Sequence, residues 1–460
     1  MVKSIAIEGL KEDLRGRLIE PEDVGYDTAR HVYNAMIDRY PRLIARCADV
    51  ADVGAVVRFT RDHDLPLAIR GGGHNGAGLG TCDDGVVLDL SALRGVDVDP
   101  KDRTVRVQGG CTSGDVDQAT HAFGLAVPTG VISTTGIAGL TLGGGSGYLS
   151  RLYGLTIDNL VEAEVVLADG RVVTASVEQN TDLFWALRGG GGNFGVVTSF
   201  LFRAHPVHTV YGGLTLWPLE RAAEILGWYR EFMPAAPDEL YGFFSFNGVP
   251  PTAPFPAESH GQQVCGVVWC YCGPEDGAEK AMRPVRQLKP AFEYLAPLPF
   301  PALQSFFDPF YPPGLQWYWR GDFLSELPDE AIARHVEHGS RPPSLLSLMH
   351  LYPVDGAAAR VGRNDTAFSY REAKWNMVIA GVDSDPANRE HIANWTRDYW
   401  KDLHPHGAGG AYVNFLMDEG EARVRATYRD NYDRLARIKR KYDPDNLFRV
   451  NQNIWPATRG

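Results

Sequence analysis

A glycine-rich loop with one imidazole at its centre is the stretch of this sequence best suited to chemistry. It runs Arg70-Gly71-Gly72-Gly73-His74-Asn75-Gly76-Ala77-Gly78. Because glycine lacks a Cβ atom and accepts positive φ, consecutive amides in such a loop can converge on one point and bind an anion. The loop therefore predicts a phosphate-binding site, with the nucleophilic side chain of His74 beside it.

The elements before the loop indicate where it would lie in a fold. Asp49 precedes a run whose apolar residues, among them Val53 and Val57, recur at helical spacing, and Leu65 to Ile69 is a short apolar run typical of a strand. The predicted strand leads directly into the loop. Since α/β folds place ligands at the ends of strands, the position supports a binding site.

The glycine spacing also matches the dinucleotide-binding fingerprint, through Gly71, Gly73 and Gly76. That fingerprint requires a helix directly after the loop. Further glycines between residues 76 and 85 disfavour such a helix, and Asp89, at the distance of the usual ribose contact, falls in the next strand-like run. The sequence therefore argues against a Rossmann site. A glycine-rich loop with an incidental histidine remains the alternative for this stretch alone.

Composition limits the classes of partner. The chain has 460 residues, a formal charge of −12, a pI near 5.6 and 44% hydrophobic residues, which favours two globular domains. Nucleic-acid binding relies on clusters of lysine and arginine, and the sequence has no such patch, so we expect no nucleic-acid partner. No signal-peptide segment and no run of about 20 apolar residues occurs, so we expect no membrane partner and a cytoplasmic protein.

The six cysteines form neither a disulfide framework nor a zinc pattern. Cys265, Cys270 and Cys272 lie in one apolar strand-like run, in which the last two share a face. No histidine or fourth cysteine stands nearby, so we expect buried thiols and no metal site.

Two further glycine clusters follow the first. One, at residues 128–147, is rich in glycine, serine and threonine, and the other occupies residues 188–198. The cluster at 128–147 lacks the Gly-Lys-Ser/Thr ending of a P-loop. Three such clusters in the N-terminal half predict a long ligand that lies across one domain, and a dinucleotide has that length.

Four signatures stand out when the whole chain is considered. They are Arg70 to Asn75; Gly143 to Gly147 with Ser150-Arg151 and Asp158-Asn159; Arg188 to Gly195; and Tyr442-Asp443-Pro444 with Asn451 to Ile454. In order and spacing this series resembles the berberine-bridge-enzyme-like branch of the vanillyl-alcohol-oxidase superfamily, over nearly the whole chain. The resemblance implies an α+β fold. A PCMH-type FAD-binding domain of two subdomains would occupy residues 1–205, a substrate domain with an antiparallel sheet covered by helices 206–410, and a segment returning to the FAD domain 411–460.

The resemblance also implies which residues bind FAD. His74 matches the family histidine that is joined through a ring nitrogen to the flavin 8α-methyl carbon. Where many members add a second bond from a cysteine, this chain has Ile132, so we expect covalent attachment through His74 only. An alkyl-imidazole substituent raises the flavin reduction potential and prevents loss of the cofactor. The other residues implied at the cofactor are Arg70, Gly71, Gly72, Gly73, Asn75, Gly78, Thr134, Thr135, Gly136, Gly139, Gly143, Gly144, Gly145, Gly147, Tyr148, Asp158, Asn159, Gly195, Val196, Val197, Asn451 and Asn453.

Beyond residue 205 the glycine clusters give way to aromatic strands that alternate with helices. The strand candidates are 240–246, 263–272, 345–352 and 368–382, and the helix candidates are 219–232, 279–288 and 386–400. This pattern predicts an antiparallel sheet with helices on one side. The aromatic residues that could line a pocket are Phe243, Phe244, Phe246, Trp317, Tyr318, Trp319, Tyr352 and Trp375, of which half are expected to be ordinary core. We select Trp319 and Asn376 as substrate-pocket residues.

Tyr412 and Asn414 are the predicted catalytic residues, since in similar family members a Tyr-x-Asn pair lies at the substrate side of the flavin. A phenolate could take the hydroxyl proton of an alcohol while a hydride leaves its carbon, if the site lowers the ordinary tyrosine pKa of about 10. A buried tyrosine with a bonded hydroxyl is the alternative. Asp418 and Glu419 are expected to begin the next helix, and Lys439 to lie in a solvated helix end.

The expected function is that of an FAD-dependent oxidase, which takes a hydride from an alcohol or amine carbon of a small organic substrate and is reoxidised by O2 with release of H2O2. Three alternatives remain: a dehydrogenase of the same fold with another acceptor, a flavin- or nucleotide-binding module without redox catalysis, and a pyridine-nucleotide reductase. Sugars, oligosaccharides, alkaloids and polyketide-like molecules all suit an aromatic pocket. The sequence predicts no oligomeric state.

Overall fold

The structure, a computed structural model, describes residues 4–458, and its first sheet has four strands. The elements of this region are α1 (Ser4–Asp13), β1 (Arg17–Ile19), α2 (Tyr26–Arg30), β2 (Leu43–Arg46), α3 (Val50–Asp62), β3 (Leu67–Arg70) and β4 (Val86–Asp89). The strand order is β1-β2-β4-β3, with β4 parallel to both of its neighbours. As predicted, the Asp49 carboxylate caps α3 by accepting from the Asp52 amide, and β3 runs straight into the glycine loop. The chain passes from β3 to β4 without a helix among these described residues.

The second sheet is antiparallel and has five strands. Its region contains β5 (Val96–Asp99), β6 (Thr104–Gln108), α4 (Ser113–His121), β7 (Leu125–Ala126), α5 (Ile137–Gly143), α6 (Ser150–Tyr153), β8 (Leu160–Val166), β9 (Val172–Ser176), α7 (Thr181–Leu187), β10 (Val196–Arg203) and β11 (His205–Pro206). The order is β5-β6-β10-β8-β9. The Thr112 side chain caps α4 by accepting from the Asp115 amide. Asn180 precedes α7, but its side chain donates to the Thr174 carbonyl and does not cap the helix.

The third sheet is antiparallel throughout and has seven strands. Its region contains β12 (Thr209–Pro218), α8 (Ala222–Ala235), β13 (Leu240–Gly248), β14 (Gln263–Tyr271), α9 (Ala278–Gln287), β15 (Phe292–Pro299), α10 (Phe300–Gln304), β16 (Gln316–Leu324), α11 (Asp329–Gly339), β17 (Leu348–Pro353), α12 (Ala357–Arg360), β18 (Trp375–Asp383) and α13 (Arg389–Leu403). The order is β15-β12-β14-β13-β17-β18-β16. One face packs against α8, α9, α11 and α13, which confirms an antiparallel sheet covered by helices on one side. The other face is turned toward the glycine loops.

Two boundaries differ from the prediction. The strand expected at 368–382 begins only at Trp375, because Arg371 pairs with Asp158 and Phe368 packs beside Gly144. β17 begins at Leu348 and not at Leu345. The alternation of Phe368 and Tyr370 with polar residues suggests a strand, but contacts distant in sequence hold this segment elsewhere. The division of the chain at residues 205 and 410 stays a prediction.

The C-terminal segment forms α14 (Glu421–Tyr428) and α15 (Tyr432–Tyr442), which are separated by a turn of 3₁₀ helix. The expectation that Lys439 is solvated is wrong. Its ammonium group is fully buried and donates to the Asp443 carboxylate at 2.7 Å and to the carbonyls of Asn193 and Phe448. The sequence Lys439-Arg440-Lys441 conceals this role, since only its last residue is exposed and paired with a surface carboxylate.

Among the described residues, no helix has both the length and the apolar character needed to cross a bilayer.

Candidate active site

A cavity of about 480 Å³ lies between the glycine loops and the seven-stranded sheet. Residues from both sides line it. The predicted site residues that line it are Arg70, Gly71, Gly72, Gly73, His74, Asn75, Thr135, Gly136, Gly139, Gly195, Val197, Trp319, Asn376, Tyr412, Asn414 and Asn451. The structure thus brings residues from the two ends of the chain and from its middle to one space.

The remaining predicted residues do not line the cavity. They are Gly78, Thr134, Gly143, Gly144, Gly145, Gly147, Tyr148, Asp158, Asn159, Val196 and Asn453. Several of them support the wall by contacts within the protein. Asp158 accepts two bonds of 2.7 Å from Arg371, and Asn159 donates to the carbonyls of Tyr153 and Leu155. The side chains of Asp158 and Asn159 are therefore engaged by the fold.

Glycine is required where the first two clusters meet. A Cβ atom on Gly72 would lie 2.5 Å from the Gly136 amide nitrogen, so the two loops touch backbone to backbone. Among the described residues, the amides of residues 71–75 donate to no other group. Beside Gly139 and Gly192, which line the cavity, the space for a side chain is open. Unpaired amides and open glycines form a cradle that fits a phosphate-containing ligand.

His74 is held in one orientation. Its ring stacks on Tyr33 with 3.8 Å between centroids, and its Nε2 atom lies 3.0 Å from Thr134 Oγ1. Burial lowers the pKa of His74 to about 4, so the imidazole is neutral at physiological pH. With Nε2 engaged, Nδ1 is the ring nitrogen that has no hydrogen-bond partner among the described groups. A neutral imidazole with one free nitrogen is the form that acts as a nucleophile.

Tyr412 and Asn414 lie together at the cavity. The Tyr412 hydroxyl accepts a 2.8 Å bond from the Gly145 amide and a 2.9 Å bond from Asn414 Nδ2. Gly143 makes room for this pair, because a Cβ atom there would lie 2.3 Å from Asn414 Oδ1.

The site does not meet the condition for a phenolate base, which was a lowered pKa of Tyr412. Burial raises the pKa of Tyr412 to about 12, and the bonds from Gly145 and Asn414 offset this only in part. The phenol therefore stays protonated at neutral pH. Because its oxygen already accepts two bonds, the hydroxyl hydrogen is the part of Tyr412 left for a ligand.

The sheet forms the opposite wall of the cavity. Trp319 lies against Gly76, where a Cβ atom would come within 2.2 Å of the indole. Asn376 is 2% exposed, and its Oδ1 atom has no hydrogen-bond partner. Of the eight aromatic candidates, the four that line the cavity are Phe243, Trp317, Trp319 and Tyr352. The other four face away, as strand alternation requires.

Sequence reasoning missed two residues at the site. Tyr33 stacks on His74 from a loop near the N-terminus, and no local pattern marks it. His350 lines the cavity, and its Nδ1 atom lies 2.7 Å from Tyr352 Oη. A signal for His350 exists, since it stands two residues before an aromatic candidate in a predicted strand and so shares its face.

Glu419 also departs from expectation. It does not begin a helix, which starts at Glu421, but is buried between Arg320 and Arg423. Arg423 also pairs with Asp322 of β16. This ionic network ties the segment that carries Tyr412 to the seven-stranded sheet.

The cradle for a phosphate-containing ligand faces a pocket on an antiparallel sheet. This arrangement is typical of FAD-binding oxidoreductases, and the comparisons with known proteins assign the chain to that class. The sequence profile of the FAD binding domain family matches residues 41–176, and that described as berberine and berberine like matches residues 411–455.

Individual relatives agree with this class. An FAD-linked oxidoreductase of Dictyostelium discoideum is 32% identical over 429 residues, which cover 92% of this chain and 91% of the relative. (R)-6-hydroxynicotine oxidase of Paenarthrobacter nicotinovorans is 30% identical over 96% of this chain and 97% of the relative. The crystal structure of 6-hydroxy-D-nicotine oxidase from Arthrobacter nicotinovorans superimposes with a TM-score of 0.85 and 26% identity, over 96% of this chain and 98% of that one. The chain belongs to the berberine-bridge-enzyme-like family of FAD-linked oxidoreductases.

Proposed function

We propose that this enzyme is an oxidase that takes a hydride from an alcohol or amine carbon of a small organic substrate and passes the electrons to O2, releasing H2O2. The observation that carries the proposal is the cavity itself, in which the glycine cradle and His74 face Tyr412, Trp319 and Asn376. When bound, FAD supplies the hydride acceptor.

The residues that would hold FAD follow from the cradle. The amides of residues 71–75 and the open glycines of the second and third clusters suit the phosphates and the ribose. Asn451 lines the cavity, and its Oδ1 atom is buried without a partner, so it is available to a donor on the cofactor. The unpaired polar atom supports the fit, because such atoms are costly unless a ligand satisfies them.

Covalent attachment through His74 only is part of the same proposal. The ring is neutral, stacked on Tyr33, and bonded through Nε2 to Thr134, which leaves Nδ1 for the bond to the cofactor. Ile132, at the position where a cysteine would be needed for a second bond, lines the cavity and has no nucleophilic atom.

Tyr412 and Asn414 are the proposed catalytic residues, with a role changed from that of a phenolate base. Asn414 and the Gly145 amide fix the phenol oxygen, so its O–H points to a substrate heteroatom. Donation from a buried phenol holds the substrate oxygen in place and stabilises the negative charge that develops on it, while the hydroxyl proton passes to water.

Anaerobic reduction of the flavin tests this function. A panel of alcohols and amines is mixed with the oxidised enzyme without oxygen, and flavin absorbance is followed; O2 is then added and peroxide is measured. We expect bleaching by at least one compound and fast reoxidation, with one peroxide formed per flavin. Slow reoxidation would assign a dehydrogenase, and bleaching by NADH alone would assign a reductase. Failure of every compound to bleach the flavin would overturn the proposal.

A further inference from the structure

The sheet wall of the cavity carries polar groups at one place. Tyr352 on β17 and Asn376 on β18 are directly paired across the two antiparallel strands, and both line the cavity. Cβ atoms of directly opposed residues lie about 5 Å apart, so the phenol and the amide stand side by side. His350, two residues before Tyr352, bonds to its hydroxyl through Nδ1 at 2.7 Å.

Asn376 is not satisfied within the protein. Its side chain is 2% exposed, and its Oδ1 atom has no partner among the described residues. A buried amide oxygen without a partner costs free energy comparable to a lost hydrogen bond, and a donor on a bound ligand removes that cost. The Asn376 amide oxygen is therefore an acceptor that is available to a hydrogen-bond donor on a ligand.

The charge of the cavity lining selects among ligands. Of the described residues that line it, Arg70 is the one with an ionised side chain at neutral pH, and Arg70 is paired with Asp89 at 2.9 Å on the loop side. Burial lowers the pKa of His350 to about 3, so its imidazole is neutral. An ammonium or a carboxylate on the substrate would thus enter the sheet side of the cavity without a counter-charge, which is costly.

We propose that Tyr352 and Asn376 form a hydroxyl subsite, which binds a hydroxyl group of an uncharged substrate. If His350 Nδ1 donates to the Tyr352 oxygen, the Tyr352 hydroxyl donates to the substrate oxygen, while Asn376 Oδ1 accepts from the substrate hydroxyl. A hydroxyl both donates and accepts, whereas an ammonium only donates and a carboxylate only accepts. The subsite narrows the substrate of the proposed oxidase to uncharged alcohols, and in that respect it rests on the proposed function.

Difference spectra of the flavin measure this binding without turnover. Benzyl alcohol, benzylamine and benzoate share a ring and differ in charge at pH 7, and each is titrated into the oxidised holoenzyme. We expect benzyl alcohol to bind at least tenfold more tightly than either charged probe. Equal or tighter binding of a charged probe, or no binding of benzyl alcohol, would overturn the subsite.

Two substitutions locate the effect. Tyr352→Phe keeps the ring and should weaken the binding of benzyl alcohol about fivefold, which is the loss expected for one hydrogen bond. Asn376→Asp adds a carboxylate, so it should strengthen the binding of benzylamine at least tenfold and weaken the binding of benzoate. An unchanged flavin spectrum of the free variants shows that the site is folded. If both variants bind the three probes as the wild type does, the subsite is contradicted, even if alcohols reduce the flavin. If the affinities change as expected but no alcohol reduces the flavin, the proposed oxidase function is contradicted and the subsite is not.

Discussion

At the scale of single residues, hydrogen bonding and burial determine what each side chain offers a ligand. Tyr412 illustrates this most clearly. The Tyr-x-Asn pattern located the residue, but its ionisation depends on burial, which outweighs two donors and raises its pKa to about 12. Sequence alone gives the residue type and not the solvent around it. The raised pKa supports the proposed role of the phenol as a donor rather than a base.

Tyr412→Phe should slow anaerobic flavin reduction by about 100-fold, because the donor to the substrate heteroatom is lost while the ring remains. Stopped-flow absorbance measures this rate. Since the pKa of Tyr412 lies near 12, the pH dependence of the wild-type rate between pH 6 and 9 should persist in the variant. A pH step that disappears with Tyr412→Phe would indicate an ionising phenol and refute the donor role.

Gly143→Ala should slow flavin reduction about tenfold, because the new methyl group would meet Asn414 and remove its bond to Tyr412. Gly227→Ala is the matched control, since a Cβ atom there meets nothing within 4 Å. Reduction rates of the two variants are compared under identical conditions. Equal rates would show that Asn414 does not position Tyr412.

At the scale of elements, local patterns predicted the strands and helices, and long-range contacts set several of their limits. Helix caps act within a few positions, so Asp49 could be assigned from sequence. Lys439 could not, because its three partners come from the third glycine cluster and from beyond α15. Buried charges of this kind depend on groups that only the folded chain brings together.

Lys439→Met should destabilise the protein by roughly 3 kcal/mol or more, because it leaves the Asp443 carboxylate buried without its counter-charge. Lys441→Met is the control, since it removes an exposed pair with Asp182 worth less than about 1 kcal/mol. Urea denaturation of both variants gives the comparison. Similar midpoints for the two would mean that Lys439 is solvated after all.

At the scale of the whole molecule, the α+β fold and the family could be predicted, because four signatures are spread along the chain in a fixed order. The hydroxyl subsite could not be predicted in the same way. It depends on the register between β17 and β18, which sets Tyr352 opposite Asn376, and sheet register is decided by packing of both faces. Asn376 was selected from sequence and Tyr352 was among the aromatic candidates, but His350 and the pairing of Tyr352 with Asn376 were not predicted.

Stability should fall as the pH drops below about 6.5. Burial lowers the pKa of His335 to about 3, of His350 to about 3 and of His205 to about 4. The unfolded chain binds more protons than the folded one in this range, so the unfolding free energy falls by more than about 1 kcal/mol per pH unit for each histidine. Asp117 offsets the contribution of one histidine, because burial raises the pKa of Asp117 to about 8 and the folded chain then binds a proton that the unfolded chain does not.

Thermal midpoints at pH 7 and pH 5 measure this dependence. His335→Gln keeps an acceptor for the Tyr399 hydroxyl, which lies 2.8 Å from His335 Nδ1. This variant should show a smaller decrease of the thermal midpoint between pH 7 and pH 5 than the wild type. His391→Gln, at an exposed position, should leave it unchanged. An equally steep loss in all three proteins would exclude His335 as a source of acid sensitivity.

Attachment of FAD to His74 is the central claim for the molecule as a whole, and the mass of the denatured chain tests it most directly. The wild-type chain and a His31→Ala control should each carry one FAD after acid denaturation, and a digest should place it on the peptide that contains His74. His74→Ala should have the mass of the bare chain. A wild-type chain without FAD, with all of the flavin in the acid supernatant, would contradict the claim.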